Sequence, residues 1–397
     1  MKELLLQAAA KYGTPLYVYD LDRIRDNVTE IQTAFGSDTE IHYACKALDN
    51  LEILKEMRAL GCGIDAVSQE ELEIALMCGY RPVDINFTPN GAPLSEYIWA
   101  HSKGINVHID NPGILEELGK YKAGFPVSIR FNPKIRSGGH VKLQVGAEDS
   151  KFGLYPEEME HIHEIIARYN IEVRRIHVHV GSDVKTAEDF LACWRQAFPL
   201  AKRYQETVRV IDLGGGFGVQ YFPDDPKLNM KALGKGIREL HDAYLEETGH
   251  DLKFLVEPGK SLVGNAGFFL AEVTATKHLE EHDLVYVNSG FNHLIRPMYY
   301  GARHRIENLS STIESRKEYK VVGYLCETDT FDPGVSLPQT KRGDILCIYN
   351  AGAYAFTMSS NYNSRCRPAE VLIKDGDLKL IRRRETLEDL LATQADL

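Results

Sequence analysis

The stretch Ile41–Val67, IHYACKALDNLEILKEMRALGCGIDAV, contains a complete strand–helix–strand unit. Apolar and small residues fill Ile41–Cys45 and Gly63–Val67, and Leu51–Leu60 between them has the composition of a helix. A helix between two short apolar strands is typical of a parallel sheet, because parallel neighbours need a crossover connection. The segment therefore predicts an α/β fold.

The same alternation continues from about residue 40 to residue 260. Eight units favour closure into a (β/α)8 TIM-type barrel, although an open doubly wound sheet has the same periodicity. The predicted strands are Ile41–Cys45, Gly63–Val67, Asp84–Thr88, Asn106–Ile109, Val127–Phe131, Arg175–Val180, Val208–Leu213 and Phe254–Val256. The clearest helices are Leu51–Leu60, Gln69–Cys78, Leu94–Ser102, Glu157–Tyr169, Ala187–Tyr204 and Met230–Thr248.

After about residue 265 strands follow one another with little helix between them, which is typical of an antiparallel β domain. Thr14–Asp20 also has strand character, so we expect the N-terminal strand to join that sheet. The expected domains are a barrel over residues 28–265 and a β domain from residues 1–27 and 266–397. The C-terminal strands are predicted at Phe268–Thr276, Leu284–Asn288, Tyr319–Leu325, Asp344–Tyr349, Glu370–Lys374 and Leu378–Ile381.

The composition excludes several classes of protein. The 397 residues include 57 acidic and 46 basic ones, and a net charge of −11 argues against nucleic-acid or anionic-membrane binding. The seven cysteines form no CxxC pair, so we expect neither a disulfide framework nor a metal site, and a cytoplasmic setting. The apolar run at the N-terminus is too short for a secretion signal, and no stretch has the length of a membrane span.

Polar residues follow the predicted strands at their carboxyl ends. In a barrel these ends converge on one mouth, where enzymes of this fold carry their catalytic groups. The alternative is that strand ends are polar only because loops are wet. The residues concerned are Lys46, Asp65 with Ser68, Asn90, Asp110, Arg130 with Asn132, His179 with Ser182, Gly214–Gly216, and Glu257.

Two of these groups suit an aldehyde cofactor that carries a phosphate. A lone lysine at a strand end is more often a surface residue, but partial burial would lower the pKa of Lys46 and free its amine to form an imine. Gly214–Gly216 let backbone amides approach a phosphate, a helix following them would add positive potential, and Ser182 offers a hydroxyl. A triple glycine is also compatible with a flexible turn.

His179 and Glu257 suit the ring of such a cofactor. An imidazole can stack on a flat heteroaromatic ring, and a carboxylate can keep a pyridine nitrogen protonated, which makes the ring an electron sink. Taken alone, the EPG that begins at Glu257 is equally a helix-starting turn. Lysine, glycine loop, stacking ring and acid on four strands together favour the cofactor.

The β domain contributes a second group of candidates. In CETDTF, the Cys326 thiol is a tunable acid that can protonate a carbanion. Upstream, GFNHLIRPMYYGARH contains Arg296 and Tyr300, and a planar guanidinium suits a substrate carboxylate. A structural salt bridge is the alternative for this arginine.

Nine segments in order resemble the diaminopimelate decarboxylases, which are pyridoxal-phosphate enzymes of the alanine racemase-like fold (fold type III). The resemblance extends from TPLYVYD to RPAEVL, nearly the whole chain. The matching segments are HYACKA, GIDAVSQEEL, SKFG, HVHVGS, LGGGFG, EPGK, IRPMYY, CETD and GAYAFTMSSNYN.

The resemblance implies removal of the carboxylate at the D centre of meso-2,6-diaminopimelate, giving L-lysine and carbon dioxide in the last step of lysine biosynthesis. Lys46 would carry pyridoxal 5'-phosphate as an imine, and Cys326 would return a proton. It also implies a homodimer in which Cys326 and Glu327 reach the partner's site. The residues implied for the cofactor are Lys46, His179, Ser182, Gly215, Gly216, Glu257, Pro258, Gly259, Lys260 and Tyr354. Those implied for the substrate are Arg296, Tyr300, Glu327 and Tyr354.

Two segments depart from the family pattern. Lys260 replaces the arginine of the usual EPGR, which keeps the charge but loses the bidentate geometry. The segment Ser137–Ser150 lacks the family's usual TG pair and is a candidate mobile lid.

Rival hypotheses share the fold. A decarboxylase acting on ornithine, arginine or carboxynorspermidine is the nearest, but a diamine-forming substrate has no distal carboxylate to need Arg296. A racemase is disfavoured because racemases of this group place an arginine at the pyridine nitrogen, where this chain has Glu257. A non-enzymatic homologue would need Lys46 or Cys326 to be idle.

Overall fold

The computed structural model describes residues 1–135, 137–138, 146, 150–280 and 283–395. The chain divides into two compact units. One, the β unit, comprises Met1–Asp26, Gln220–Asp225 and Leu262–Leu397, and the other, the barrel unit, comprises Asn27–Val219 and Pro226–Ser261. None of the helices formed by the described residues has the length and apolar character needed to cross a bilayer.

Eight parallel strands of the barrel unit close into a barrel. The first barrel strand pairs with both the second and the last, through Tyr43 opposite Ile64 and Ile41 opposite Val256, so no edge remains open. The predicted barrel is confirmed and the open sheet is excluded. After helix α1 (Lys2–Tyr12), strand β1 (Leu16–Asp20) and helix α2 (Leu21–Phe35), the barrel strands are β2 (Thr39–Ala44), β3 (Gly63–Ala66), β4 (Ile85–Phe87), β5 (Asn106–Ile109), β6 (Pro126–Phe131), β7 (Glu172–Val178), β8 (Val210–Asp212) and β9 (Lys253–Val256).

Several helices of the barrel unit begin at an asparagine or serine whose side chain caps the first turn. Asn50 accepts from the backbone N–H of Glu52 at 3.0 Å, and Ser68 accepts from the N–H of Glu71 at 3.2 Å. Ser68, expected at the mouth as a functional group, is therefore a helix cap. The helices are α3 (Leu51–Ala59), α4 (Gln69–Met77), α5 (Leu94–Ser102), α6 (Pro112–Tyr121), α7 (Met159–Tyr169), α8 (Ala187–Arg195), α9 (Ala197–Arg203), α10 (Met230–Thr248) and α11 (Lys260–Val263).

Two barrel helices differ from the prediction. Helix α6 was not predicted, although Asn111 caps it and Pro112 occupies its first turn. The single helix predicted over Ala187–Tyr204 is interrupted at Gln196. Pro199 explains the break, because it has no N–H to donate to the carbonyl four residues earlier.

The β unit is a nine-stranded sheet. Its central strand β1 pairs antiparallel with β10 and parallel with β16, so the N-terminal strand joins the C-terminal sheet as expected. Leu16, Val18, Phe268, Leu270 and Val371 form part of its buried core. The remaining elements are β10 (Gly267–His278), β11 (Asp283–Val287), α12 (Arg296–Tyr300), β12 (Ile306–Asn308), β13 (Arg316–Val322), β14 (Thr330–Pro338), β15 (Ile345–Ile348), β16 (Ala369–Lys374), β17 (Asp377–Arg382) and α13 (Leu387–Leu391).

Two strands of the β unit, β12 and β14, were not predicted. Strand β14 contains Pro333 and Gly334, residues that weaken a strand prediction, and it lies at one end of the sheet order, where proline is tolerated. The expected antiparallel sheet also contains two parallel pairs, β1 with β16 and β11 with β13.

Candidate active site

Lys46 lies in a one-turn helix, Cys45–Ala47, directly after β2. Its ammonium group contacts a carboxylate oxygen of Asp65, and Thr88 donates to the other oxygen of that carboxylate. The Lys46 side chain is 36% exposed and that of Asp65 is 1% exposed. A buried carboxylate thus holds an amine that still reaches solvent at the barrel mouth, a pairing that the sequence alone did not indicate.

The next strand ends form a hydrogen-bonded rim. Asn90 donates to Asp110, and burial raises the pKa of Asp110 against the opposing effects of Asn90 and Arg130. The Arg130 guanidinium lies 4.8 Å from the centre of the Phe152 ring. Asn132 donates to the carbonyl of Phe152 at 2.7 Å. These groups support the mouth between β4 and β7.

Most of the candidate lid segment lies outside the described residues. Residues 136, 139–145 and 147–149 of the segment around Ser137–Ser150 are not among the described residues. The prediction that this segment closes over the site therefore stays a prediction.

The glycine loop Gly214–Gly216 packs against two neighbouring strand ends. A Cβ on Gly215 would lie 2.0 Å from the carbonyl oxygen of Glu257, and one on Gly216 would lie 1.9 Å from that of Gly181. Gly216 also has a φ of 96°, in the left-handed region. These positions accept only glycine. The helix that follows the loop is α10, with the predicted bounds, but because it begins only at Met230 its N-terminus does not directly follow the glycines in sequence.

His179 is attached to this loop. Its Nδ1 accepts a hydrogen bond from the backbone N–H of Gly215 at 3.1 Å. Burial, with Arg130 nearby, lowers the pKa of His179 well below its ordinary value, so the ring is neutral. A neutral imidazole with Nδ1 as acceptor carries its proton on Nε2. Gly215, implied as a phosphate ligand, donates its N–H to the imidazole in this structure.

Glu257 and Asp212 form an acid pair at the ends of β9 and β8. Burial and the neighbouring Glu257 raise the pKa of Asp212 well above its ordinary value. Burial also acts to raise the pKa of Glu257. The pKa is nevertheless lowered, by the charges of His108, Lys46 and His179 and by a hydrogen bond from Asp212. Glu257 is therefore the ionised member and Asp212 the protonated one. Within the described residues, no N–H or hydroxyl group donates to the buried Oε1 of Glu257.

Two buried histidines stand beside this pair. His177 Nε2 is 3.3 Å from Glu257 Oε2, and His177 Nδ1 is 3.2 Å from His108 Nδ1. Burial lowers the pKa of both imidazoles. Potential ligand atoms of His108, His177 and Asp212 lie within 4.8 Å of one another. Asp212 also accepts from Gly214 at 3.0 Å and from Asn86 at 3.2 Å, whereas the buried Nε2 of each histidine has no hydrogen-bond partner among the described residues.

Lys260, in place of the family arginine, is buried at the start of α11. Its ammonium lies 3.5 Å from Asp183 Oδ1, and Asp183 immediately follows Ser182. The preceding Pro258 accepts from the backbone N–H of Ala44 at 3.2 Å, which ties the end of β9 to β2. Lys260 thus neutralises the loop that carries Ser182, a role that an ammonium group performs without bidentate geometry.

Arg296 is buried in the β unit. It donates to the hydroxyl of Tyr221 at 2.8 Å, and its guanidinium lies 5.7 Å and 5.6 Å from the ring centres of Tyr221 and Tyr300. Among the described residues it forms no ion pair, and its Nε, though buried, has no hydrogen-bond partner. The salt bridge considered as the alternative is therefore not formed. A buried, uncompensated guanidinium calls for an anion from outside the chain.

Cys326 is exposed in the loop between β13 and β14. Its Sγ accepts a hydrogen bond from Asn363 Nδ2 at 3.1 Å, and Tyr362 donates to Glu327 Oε1 at 2.9 Å. Tyr362 and Asn363 belong to the segment GAYAFTMSSNYN, but the sequence alone predicts no role for either residue. Tyr354 of that segment is half-buried and has a φ of 51°.

The predicted residues thus fall into separate groups. The barrel unit brings Lys46, His179 and Glu257 to one mouth with the glycine loop and Lys260. The β unit contains two separate groups, Arg296 with Tyr300 and Cys326 with Glu327. Asp212, His177 and Tyr221 were missed; the alternation in HVHV and the acid before LGGG were the available signals.

Comparison with known proteins gives one family. The pyridoxal-binding domain of the pyridoxal-dependent decarboxylases matches residues 21–264. The diaminopimelate decarboxylase of Methanothermobacter thermautotrophicus is 36% identical over 98% of this chain and 93% of its own. That of Streptomyces coelicolor is 35% identical over 99% of this chain and 92% of its own.

Solved structures agree. The crystal structure of diaminopimelate decarboxylase from Helicobacter pylori complexed with L-lysine superposes with a TM-score of 0.90 at 31% identity. The match covers 99% of this chain and 98% of that one. The likeness therefore includes both units.

Proposed function

This chain belongs to the diaminopimelate decarboxylases, and from that premise we propose how its own residues carry out the reaction. The enzyme is a pyridoxal-phosphate-dependent carboxy-lyase that converts meso-2,6-diaminopimelate into L-lysine and carbon dioxide, the last step of lysine biosynthesis. The observation that carries the assignment is the convergence of Lys46, His179 and the ionised Glu257 on one barrel mouth.

The groups at the mouth fit pyridoxal 5'-phosphate. When bound, the cofactor supplies an aldehyde for the substrate amine and a protonated ring that takes up the electron pair left by carbon dioxide. Glu257 Oε1, which is buried and receives no N–H or hydroxyl hydrogen within the described residues, would accept from the ring nitrogen. Neutral His179 would stack on the ring. Ser182 and Gly216 would hold the phosphate beside Gly215, whose N–H donates to His179, with Pro258, Gly259 and Lys260 shaping the loop.

Lys46 and Asp65 handle protons around the amine. The buried Asp65 carboxylate holds the Lys46 ammonium in the resting protein, and Thr88 fixes the carboxylate by donating to it. Lys46 must lose a proton before its amine can attack an aldehyde. Asp65 is placed to orient the amine and to hold a proton released from it.

Glu257 stays ionised because of its neighbours. Asp212 carries the proton of the acid pair and hydrogen-bonds to Glu257, and His177 lies beside the second oxygen. A carboxylate facing the ring nitrogen keeps that nitrogen protonated, which favours loss of carbon dioxide over the limited delocalisation that suits a racemase.

Arg296 binds the carboxylate that the reaction leaves in place. Its guanidinium is buried with no acid partner among the described residues, so the distal carboxylate of diaminopimelate would compensate it. Tyr300, packed against that guanidinium, lines the same carboxylate site. Tyr354 and Glu327 bind the polar groups at the two ends of the substrate.

Cys326 donates the proton that replaces carbon dioxide. We propose that it acts, with Glu327, in the site of a second copy of the chain, so that the enzyme works as a homodimer with two shared sites. Its exposure in the single chain supports this arrangement, since an acid needed for catalysis gains its surroundings on assembly. The cytoplasmic setting expected from the cysteines stays a prediction.

A substrate panel tests the function. Purified protein with pyridoxal phosphate is expected to release carbon dioxide from meso-diaminopimelate and to form L-lysine, detected by chromatography. Ornithine, arginine and carboxynorspermidine serve as comparison substrates, and Lys46→Ala as the inactive control. Turnover of a polyamine precursor with none of meso-diaminopimelate would overturn the substrate assignment.

A further inference from the structure

Asn363 forms two hydrogen bonds with Cys326. Its Oδ1 accepts from the backbone N–H of Cys326 at 3.1 Å, and its Nδ2 donates to Cys326 Sγ, also at 3.1 Å. One amide group thus fixes both the backbone and the sulfur of a residue 37 positions earlier in the chain. Such a two-point contact restrains an otherwise exposed side chain.

Both partners are themselves anchored. Asn363 lies in the turn Tyr362–Ser364 and has a φ of 55°, a left-handed conformation that asparagine tolerates. The ring of Tyr362 stacks on Phe291 with centres 5.4 Å apart. On the other side, Asp329 accepts from the backbone N–H of Phe291 at 2.8 Å. The loop of Cys326 and the turn of Asn363 therefore share a support through Phe291.

We propose that Asn363 is a positioning residue that aims the Cys326 sulfur and stabilises it after it has given up its proton. The inference rests on the proposed role of Cys326 as proton donor. In that step the S–H bond breaks, the proton joins the carbon that has lost carbon dioxide, and the sulfur keeps the electron pair as a thiolate. The N–H of Asn363 then donates to a negatively charged sulfur, a stronger hydrogen bond than one to a neutral thiol.

The surrounding groups favour the thiol over the phenol as the acid. The hydrogen bond from Asn363 and the hydrogen bond with Tyr362 lower the pKa of Cys326, while the charge of Glu327 opposes them. Hydrogen bonds with Cys326 and Glu327 raise the pKa of Tyr362 to about 12. Among the described residues, Glu327 and Tyr362 are the titratable groups at Cys326; the pKa of the thiol is lowered and that of the Tyr362 phenol is raised.

The test is Asn363→Asp, an isosteric change. The new carboxylate still accepts from the backbone N–H of Cys326 but offers the sulfur no donor and adds a like charge. Because the thiolate loses a donor and gains a negative neighbour, we expect the pKa of the thiol to rise by about one unit or more. Each unit lowers the thiolate fraction about tenfold at a pH below the pKa. The rate of alkylation of the holoenzyme by iodoacetamide, followed against pH, measures that pKa, and Cys326→Ser identifies the signal.

Two comparison variants complete the design. Asn363→Gly tolerates the left-handed backbone and removes both contacts; it should also raise the pKa and lower kcat with little change in KM. Asn170→Asp, another left-handed asparagine in the barrel unit, should leave the profile unchanged. An alkylation profile in Asn363→Asp identical to wild type overturns the inference. Because this readout needs no turnover, it remains decisive even if wild type fails to act on meso-diaminopimelate.

Discussion

The imidazole of His179 and the backbone of Gly215 are joined by a hydrogen bond of 3.1 Å from the glycine N–H to Nδ1. The bond fixes the tautomer of the ring that would stack on the cofactor, and it does so through the loop that would hold the phosphate. Any change that moves the glycine loop must therefore also move the ring. We therefore expect cofactor affinity and ring position to be coupled through this peptide group.

Gly216→Ala tests this coupling. The added Cβ would meet the carbonyl oxygen of Gly181 at 1.9 Å, so the loop must shift. We expect the affinity for pyridoxal phosphate to fall at least about tenfold, a loss of roughly 1.4 kcal/mol. Gly249→Ala is the matched control, because Gly249 has a φ of 70° but no atom within 4 Å of an added Cβ. Equal cofactor affinities in the two variants, measured by fluorescence titration, would contradict the prediction.

Lys46→Ala should abolish the absorbance band of the protonated imine and reduce kcat by roughly 10²–10⁴-fold, the range for loss of a positioned proton-transfer group. The amine beside Asp65 is then missing, although the proposed phosphate loop is left unchanged. Lys55→Ala removes an exposed lysine of α3 and should behave as wild type. A normal imine band in Lys46→Ala would assign the cofactor to another lysine.

Glu257→Gln and Asp212→Asn should differ although both replace a buried acid. Glu257 is the ionised member, so its loss removes a charge-assisted hydrogen bond worth about 1.5–3 kcal/mol, roughly a 10–150-fold loss in kcat. Asp212 is already neutral, so its amide analogue should cost much less. Steady-state kinetics decide the order, and a larger loss in Asp212→Asn would reverse the assigned protonation.

Arg296→Met should raise KM for meso-diaminopimelate about tenfold or more, because the buried guanidinium would no longer meet the distal carboxylate. The comparison variant is Arg303→Met, since Arg303 already pairs with Asp332 at 3.3 Å and is mostly exposed. An unchanged KM in Arg296→Met, with the fold intact by circular dichroism, would remove Arg296 from substrate binding.

His293 makes the β unit sensitive to acid. Burial lowers the pKa of His293 to about 4; in the neutral ring Nε2 donates to the Cys366 carbonyl at 3.1 Å, so Nδ1 accepts from the Ser289 hydroxyl at 3.1 Å. The unfolded chain, with a histidine pKa of about 6.5, binds the extra proton first as pH falls. The contribution of neutral His293 to the unfolding free energy is therefore complete above about pH 6.5. It falls by up to about 3 kcal/mol as the pH drops toward 4.

His293→Gln should flatten this pH dependence of the unfolding free energy, measured by denaturant titration from neutral to acid pH. The exposed His161 of α7 provides the control, and His161→Gln should leave the profile as in wild type. An undiminished acid slope in His293→Gln would place the proton uptake elsewhere.

The barrel and its mouth were predictable because they depend on local patterns. Parallel strands have apolar runs at a regular spacing, and their carboxyl ends must meet on one side of a closed barrel. Lys46, His179, Gly216 and Glu257 could therefore be named before any contact was known. The helix predicted over Ala187–Tyr204 failed because Pro199 removes one backbone donor, a local signal that the apolar pattern outweighed.

Pairings between distant residues could not be predicted in the same way. Lys46 with Asp65, Asp212 with Glu257, and Asn363 with Cys326 each join separate loops, and sequence spacing carries no information about such contacts. Strand β14 was hidden for a related reason, since an edge strand tolerates the proline and glycine that argue against a strand in a sheet centre.

By itself the sequence determined the order of strands and helices, the position of the glycine loop, and the chemical type of each residue at the barrel mouth. The tertiary structure alone decided the charge states. Glu257 is ionised and Asp212 is protonated because burial makes two adjacent negative charges costly, and the neighbouring histidines and lysine determine which acid keeps the charge. The tertiary structure also buries Arg296 with no acid partner among the described residues, because ion pairing depends on which side chains the fold brings together.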